Sequence, residues 1–483
     1  MFVMKVWRVV AIAVITRTLV VGLSAQTSLS PNSAPPSAPS ERLLANAPQN
    51  PFLGSVQTEK LHPGVINLSL QDALERGFKT NLGLFLSGTA TDKSRAAHWK
   101  AISELMPHVE GSVRESAQRI NLRALGIPIT TLPHTVDVSN SDVRVGLQQY
   151  LLDLSAVFHT KAASSAGDAA KSTYKDARET VAAAVTEAYL AVMAAQSRLD
   201  FAQADFNTAQ ALFQLAKDRE RSGLSPEVDT LRAQVEQQSR EEGVIEARNA
   251  LDKQRIALLR VTGLDIHQPI HLTTALNYES LTKPSGEVAL QQALVHREDY
   301  RAAQQDLRSV QQAKQAAEMQ RIPKIAAVGN YGALGTAPGN AIPTWNVAVG
   351  LRIPIFEGGR IHADVADADA TLRQKQAELE DMRTRIAQEV ENEILDLDAA
   401  VKQVDVAKAA LGYANRALTQ STDRFTAGVT NNIEVIQAQE ALANANEQWV
   451  NSVYAYNIAR IALARATGTA EASARDLLAQ ANH

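Results

Sequence analysis

The chain has 483 residues, of which 45% are hydrophobic and 5% aromatic, and its formal net charge at pH 7 is −4. So small a charge gives no indication of a nucleic-acid partner, and the low aromatic content favours long, closely packed helices over a bulky globular core. The sequence contains no cysteine, which excludes disulfides, thiolate metal sites and a lipid anchor on an N-terminal cysteine.

The first 66 residues divide into two segments. Residues 1–25 carry early basic residues, two apolar runs and the small-residue sequence Leu23-Ser24-Ala25, which is typical of an export signal peptide. The alternative is a short membrane anchor, but no continuous apolar run reaches about 18 residues. Residues 26–66 are rich in Pro, Ser, Ala and Asn, and this composition predicts a disordered leader.

Two pairs of short helices are predicted, and a proline ends each pair. In the first half, Ser69 caps a helix that runs to about Lys79, and Pro107 stops the next one. In the second half, the corresponding stop is Pro323. The other three short helices are predicted over Leu84–Leu105, Glu287–His296 and Asp299–Arg321.

Alternating segments follow both prolines. The clearest is Trp345–Phe356, in which every second residue is apolar: Trp345, Val347, Val349, Leu351, Ile353 and Ile355. Its counterpart in the first half has Val143, Val145, Leu147 and Leu151, and the weaker partner segments are His108–Leu122 and Ile325–Leu334, joined through the loops Arg123–Asn140 and Gly335–Thr344. Strands of about ten residues with one apolar face fit a transmembrane β-barrel. A half-buried hairpin in a soluble sheet fits this pattern equally well.

A very long helix follows each strand pair. Apolar residues recur every seven positions, and mostly small residues lie three positions later, which indicates knobs-into-holes packing at close range. In the first half the series are Val185, Val192, Leu199, Phe206, Phe213 and Ala188, Ala195, Ala202, Ala209, Ala216. A helix over Ser155–Arg221 would be about 100 Å long. Glycine turns lead to returning helices, predicted over Glu227–Thr262 and Asn432–Thr467.

The two halves are copies of one sequence. Residues 255–263 (RIALLRVTG) reappear as residues 460–468 (RIALARATG), which indicates an internal duplication. We assign 67–268 to a first repeat, 269–285 to a linker, 286–469 to a second repeat and 470–483 to a C-terminal tail. The predicted fold is mainly α with a small β part: long antiparallel coiled-coil hairpins plus four transmembrane strands.

Four strands are too few for a closed barrel, which needs about eight or more, and open strand edges cannot face lipid. The strands would therefore have to close by oligomerisation. With helical hairpins of about 100 Å at the other end, this describes a protein that crosses the outer membrane and extends into the periplasm.

The chain resembles the outer-membrane efflux proteins of the TolC-like family. The resemblance rests on the duplicated turns, Gly223-Leu224 before Asp229 and Gly428-Val429 before Glu434, on the PIFEGGR sequence at 354–360, and on the paired RIAL-containing endings. It covers about residues 66–468. It implies a homotrimer with a shared barrel and a helical tunnel, a trimeric α/β-barrel working as the exit duct of a tripartite pump. The partners would be a periplasmic adaptor, an inner-membrane transporter and outer-membrane lipid.

The resemblance also assigns roles at the turns. Gly223, Leu224, Gly428 and Val429 would dock the adaptor, while Asp229 and Glu434 would supply acidic groups where the tunnel narrows. The alternative is structural: a glycine turns each hairpin, and an acidic residue in a first helical turn favours the helix N-terminus.

Three positions near the constriction depart from the family's pattern. Phe425 stands where a tyrosine is usual, Thr430 where an arginine is usual, and Gln437 at the position of a second acidic ring. The family's polar latch at the tip is therefore in question, and apolar contacts could hold the tip instead.

Nothing in the sequence indicates catalysis or a cofactor. No phosphate-binding glycine loop, nucleophile elbow or HExxH motif is present. His267 and His271 are four residues apart, but Pro269 prevents them from sharing a helical face, so we predict no metal site there. The alternative to a channel is a periplasmic coiled-coil structural or adaptor protein, which would lack the four lipid-facing strands.

Overall fold

The computed structural model describes residues 50–56, 59–125, 134–273, 285–430 and 432–481, and the predicted signal peptide lies outside them. The described chain is mainly helical. Its α-helices are α1 (Leu70–Thr80), α2 (Leu82–Ser103), α3 (Leu154–Arg221), α4 (Glu227–Thr262), α5 (Gly286–His296), α6 (Glu298–Met319), α7 (Arg360–Thr426), α8 (Asn432–Ala466) and α9 (Ala470–Ala481).

The strands form two sheets. They are β1 (Ile66–Leu68), β2 (His108–Asn121), β3 (Thr135–Leu152), β4 (Ile270–Leu272), β5 (Lys324–Gly335) and β6 (Ile342–Arg352). Strands β1 and β4 pair in parallel, and the other four form an antiparallel sheet in the order β2-β3-β5-β6. Both predicted strand pairs are confirmed, and they join through β3 and β5 into one sheet.

Among the described residues, no helix has the length and apolar character needed to cross a membrane.

Helix ends agree closely with the predictions. Ser69 caps α1 through a reciprocal pair of hydrogen bonds with Asp72. The returning helix α4 ends at Gly263, which has φ of +71° and caps the helix in the left-handed conformation. A Cβ there would also lie 2.4 Å from the hydroxyl of Thr80, so both the conformation and the space require glycine.

The long helix α3 has 68 residues, which gives a length of about 100 Å. The predicted seam is buried along much of its length: Val185 and Val192 are fully or almost fully buried, and near the far end so are the small residues Ala209 and Ala216. The buried alanines allow the neighbouring helices to approach closely near the tip.

The bulkiest part of the core lies around the two-stranded sheet. Tyr189 of α3 is completely buried there, and its hydroxyl donates to the carbonyl oxygen of Leu68 at 3.0 Å. A second cluster, around Ile386 and Val390 of α7, packs against α5 and α8. The middle of the long hairpins is therefore anchored by short elements that the heptad pattern alone does not describe.

Three predicted boundaries in the sheet were wrong. The strand predicted to reach Phe356 ends at Arg352, because Pro354 has no N–H to donate and the chain then turns through Gly358 and Gly359 with positive φ. Strand β3 already begins at Thr135, inside the predicted loop Arg123–Asn140. Strand β6 begins at Ile342, inside the predicted loop Gly335–Thr344.

The end of the predicted disordered leader is in contact with the helices. Asn81 donates its side-chain amide to the carbonyl oxygen of Phe52 at 2.6 Å, and the N–H of Leu82 donates to Gly54 at 3.0 Å. The ring of Phe52 occupies the space where a Cβ on Gly83 would lie. This short segment therefore differs from the prediction for 26–66, because Phe52 packs against Gly83 and the backbone here pairs with the start of α2.

Helix α9, in the predicted tail, was not foreseen as a packed element. Ala470 and Ala474 are fully buried in the core cluster around α3. The guanidinium of Arg178 donates two hydrogen bonds to the carboxylate of Glu471, at 2.6 and 2.9 Å. This bidentate pair fixes the start of α9 to α3.

The pair makes the attachment of α9 dependent on pH. The hydrogen bond from Arg178 holds the pKa of Glu471 below its usual value of 4.5. A carboxyl whose pKa is lowered by folding stabilises the fold above its unfolded pKa, and this contribution is lost as the pH falls through the folded value. We expect Glu471→Gln to lower the thermal midpoint at pH 7 and to have little effect at a pH below the folded pKa of Glu471. Equal effects at both pH values would contradict this account.

Candidate functional site: the hairpin tips

Each long hairpin turns through a left-handed glycine. Gly223 has φ of +70° and Gly428 has φ of +76°. At the first turn the N–H of Leu224 donates to the carbonyl oxygen of Arg219, and at the second the N–H of Val429 donates to that of Arg424. This is the Schellman arrangement, in which glycine allows the chain to leave the helix and satisfies its last carbonyls. The side chains of Leu224 and Val429 are 74% and 70% exposed.

An arginine joins the two tips. Arg219, in the last turn of α3, donates from Nη1 to the carbonyl oxygen of Phe425 at 2.6 Å and from Nη2 to that of Thr426 at 3.4 Å. Its guanidinium carbon lies 4.7 Å from the centre of the Phe425 ring. A cation here satisfies carbonyl oxygens at the C-terminal end of α7, where the helix dipole is negative.

A second contact joins the returning helices. The side-chain amide of Asn432, at the start of α8, donates to the backbone carbonyl oxygen of Asp229 in α4 at 2.7 Å. Together with the Arg219 contact, it means that each tip supplies a side chain that binds the backbone of the other. The two tips of one chain are therefore held in a fixed relative position by polar contacts.

Both predicted acidic residues have cationic partners within the chain. Asp229 is 9% exposed, and its carboxylate lies 3.3 Å from Nη1 of Arg232. The carboxylate of Glu434 accepts a hydrogen bond from the hydroxyl of Thr430 at 2.6 Å and lies 3.6 Å from Nε of Arg424. Both also lie in the first turn of a helix, where a negative charge is favourable.

The remaining predicted residues differ in their surroundings. Phe425 is 4% exposed, and the guanidinium of Arg219 lies on the face of its ring. Gln437 is exposed on α8. Sequence reasoning missed Arg219 and Asn432. A basic residue in the last helical turn was a visible signal for Arg219, but its partner across the hairpins was not visible.

The four-stranded sheet has two chemically different faces. One exposes a continuous set of apolar side chains, of which Trp345, Val347 and Val349 are 74%, 72% and 67% exposed. The other carries Arg144, whose Nε lies 2.8 Å from the carboxylate of Asp142 and whose Nη1 donates to the amide oxygen of Asn330 at 2.9 Å. An exposed apolar face of this size marks an interaction with lipid or with another protein.

In the part of the chain that the structure describes, no group of three or more His, Cys, Asp or Glu side chains is placed to hold a metal ion.

The family model for outer membrane efflux proteins matches residues 90–264 and again residues 289–469. The chain belongs to the outer membrane efflux protein family. The first match contains most of α2, all of α3 and α4, and the strand pair β2–β3. The second contains most of α5, all of α6, α7 and α8, and the strand pair β5–β6. Both hairpin tips lie within the matches.

Curated relatives have low sequence identity to this chain but align over most of its length. Nodulation protein T of Rhizobium leguminosarum bv. trifolii is 23% identical over 419 residues, which is 76% of this chain and 88% of the relative. Outer membrane protein TolC of Vibrio cholerae serotype O1 is 23% identical over 307 residues, which is 62% of this chain and 70% of the relative.

Solved structures share the fold of this efflux-family chain. The Campylobacter jejuni CmeC outer membrane channel superposes with a TM-score of 0.74 at 18% identity, covering 94% of this chain and 98% of that one. The open state of the Neisseria gonorrhoeae MtrE outer membrane channel gives 0.71 at 18% identity, covering 86% and 95%. The family match therefore identifies an outer membrane efflux protein, and these structures share its fold.

Proposed function

We propose that this chain is the outer-membrane exit duct of a tripartite efflux or type I secretion system and passively conducts substrates out of the periplasm. The observation that carries the proposal is the four-stranded sheet, whose apolar face is exposed around Trp345 and Val347 while helices of about 100 Å extend from the same chain. A lipid-facing sheet joined to a long helical tube needs no catalytic group and no cofactor. Such an assembly would provide a path through which substrates leave the periplasm.

Three copies would complete the membrane part. Strands β2 and β6 are the edges of the sheet, and a bilayer core tolerates no open edge. Three chains would give a closed barrel of twelve strands, with the polar face around Arg144 toward the lumen. The α7–α8 and α3–α4 hairpins, as copies of one duplicated unit, would then form the tunnel below it. The proposed division remains 67–268 and 286–469 for the repeats, with the linker 269–285 and the tail 470–483.

The partners follow from the same arrangement. A duct open to the periplasm depends on an inner-membrane transporter for energy and on a periplasmic adaptor to join the two. One relative is named for secretion: alkaline protease secretion protein AprF of Pseudomonas aeruginosa, which is 21% identical over 321 residues. By analogy the adaptor would dock on the tips, and Asp229, Phe425, Thr430, Glu434 and Gln437 would lie near the constriction.

The first experiment is fractionation and detergent extraction of the expressed protein, followed by sizing of the purified particle. A trimer extracted from the outer membrane is expected. A soluble periplasmic monomer would contradict the proposal and leave only the coiled-coil scaffold.

Charge at the tip apices is expected to block adaptor docking without affecting folding. Leu224 and Val429 are mostly exposed, so Leu224→Asp combined with Val429→Asp should change the free energy of unfolding by less than about 1 kcal/mol. Crosslinking to the adaptor and export should both be lost. Aspartate at the exposed Gln437, which we place near the constriction and outside the docking surface, is the control that should keep the crosslink. Normal crosslinking in the double variant would place the docking surface elsewhere.

Backbone changes at the turns are expected to abolish export as well. Proline fixes φ near −65°, so Gly428→Pro cannot adopt the φ of +76° found there. A bulky side chain at Gly223 is likewise disfavoured at the φ of +70° found there. Trimers should persist in both variants, because the turns lie at the far end of the hairpins from the sheet. Loss of the trimer would show that these glycines are structural only.

A further inference from the structure

A small cavity lies near the tips, lined by residues of all four long helices. Leu212 of α3, Glu236 of α4, Phe425 of α7, and Asn432 and Gln439 of α8 contribute to its walls. Its volume is about 10 Å³, close to that of a single water-sized sphere. Both hairpins line it, so whatever occupies it contacts both halves of the chain.

Two amide oxygens in the cavity wall have no partner. Asn432 is 5% exposed and Gln439 is 6% exposed. Within the described residues, neither Oδ1 of Asn432 nor Oε1 of Gln439 accepts a hydrogen bond. The orientation of Asn432 is fixed, because its nitrogen donates to the carbonyl oxygen of Asp229. Leaving buried acceptors unpaired is costly, and buried polar groups without a protein partner usually bind ordered water.

We propose that one water molecule is bound in this cavity and donates a hydrogen bond to each of the two oxygens. The chemistry matches, since both free atoms are acceptors and water has two hydrogens to donate. Asn432 and Gln439 are seven residues apart in α8, about two turns, so they lie on the same side of the helix, and both line this cavity. The space fits one molecule.

Water fits this site better than a cation does. Hard cations take six or more oxygen ligands, and the cavity offers two free amide oxygens. The carboxylate of Glu236, which also lines it, is already paired with Nε of Arg240 at 2.6 Å. The bound water therefore satisfies two buried acceptors of α8, one of them on the side chain whose nitrogen contacts Asp229 of the other hairpin. The inference depends on the fold alone and not on the proposed export function.

A crystal structure of the purified full chain at about 2 Å tests the site directly. We expect a density peak about 2.7–3.2 Å from both oxygens. An empty cavity, a water that contacts only one oxygen, or a peak about 2.4 Å away as expected for a cation would each overturn the inference.

The sign of a stability change gives a second, independent test. Gln439→Met keeps the side-chain length and removes the acceptor. If water occupies the cavity, methionine displaces it and leaves Asn432 unpaired, so the thermal midpoint should fall by about 2 °C or more. If the cavity is dry, the same change removes an unpaired oxygen and fills space, and the midpoint should rise. Gln437→Met, at an exposed position of the same helix, is the matched control. A rise for Gln439→Met relative to this control would overturn the inference.

Discussion

Replacing Arg297 with alanine is expected to destabilise the folded chain by about 3–5 kcal/mol, the usual cost of removing one partner of a buried ion pair. The Arg297 side chain is 6% exposed between α5 and α6. Its guanidinium binds the carboxylates of Asp299 at 2.7 Å and Glu389 at 2.5 Å, and the carbonyl oxygen of Ala466 at 3.3 Å. One side chain thus holds α6, α7 and the end of α8 together.

The electrostatics of this site support a large effect. Burial alone would lower the pKa of Arg297, but the hydrogen bonds to Asp299 and Glu389 more than offset it, and the net pKa is raised. The charge is therefore retained at every pH at which the protein is folded. In the alanine variant, the partly buried carboxylate of Asp299 would lose its main cation.

Arg301 provides a matched control on the same helix. Its side chain is 46% exposed and pairs at 2.8 Å with Glu298, whose side chain is 14% exposed. Lys175 also lies 3.6 Å from this carboxylate, so Arg301→Ala leaves Glu298 with a second cation and should cost less than Arg297→Ala. Denaturant unfolding followed by circular dichroism would compare Arg301→Ala with Arg297→Ala. Similar losses in the two variants would show that the Arg297 contacts contribute little beyond those of a surface pair.

Placing an arginine at Val347 is expected to prevent assembly in the outer membrane. Val347 is 72% exposed on the apolar face of β6, and a basic residue on a lipid-facing strand costs about 2–4 kcal/mol near the middle of the bilayer. Three copies would multiply that cost in a closed trimer. The amount of trimer recovered from outer-membrane fractions should fall sharply.

A variant at the neighbouring residue, Asn346, tests whether the apolar face contacts lipid or water. Asn346 lies on the opposite face of β6, with Asn330 as its cross-strand partner, so Asn346→Arg would point toward the lumen and should assemble normally. If the sheet were instead a soluble one with this face in water, an arginine at the exposed Val347 would be harmless. Equal recovery of the two variants would therefore contradict the assignment of the apolar face to lipid.

The features that the sequence predicts well are those with local causes. The ends of α1 and α4 follow from Ser69 and Gly263, because a cap and a left-handed glycine act within one helical turn. The seven-residue period predicts the seam of α3, since burial repeats with the helix itself. The strand faces follow from alternation, although alternation could not show where β6 ends.

The features that the sequence does not predict depend on contacts between distant elements. Arg219 and Asn432 act on backbone atoms about 200 residues away, and Arg297 gathers partners from three helices. Nothing in the local pattern around these residues distinguishes them from exposed polar positions. The packing of α9 was missed for the same reason: its burial depends on Ala470 and Ala474, which are small and carry no strong periodic signal.

The two tips are similar in sequence and yet differ in their contacts. Arg219 and Arg424 occupy matching positions in the two tip sequences, 205 residues apart. The first reaches across to the carbonyl oxygens of Phe425 and Thr426, whereas the second faces Glu434 within its own hairpin. A ring of three chains would thus present six tips of two alternating kinds. A partner with six identical subunits would have to bind two unlike surfaces in turn, which would fix its rotational register on the duct.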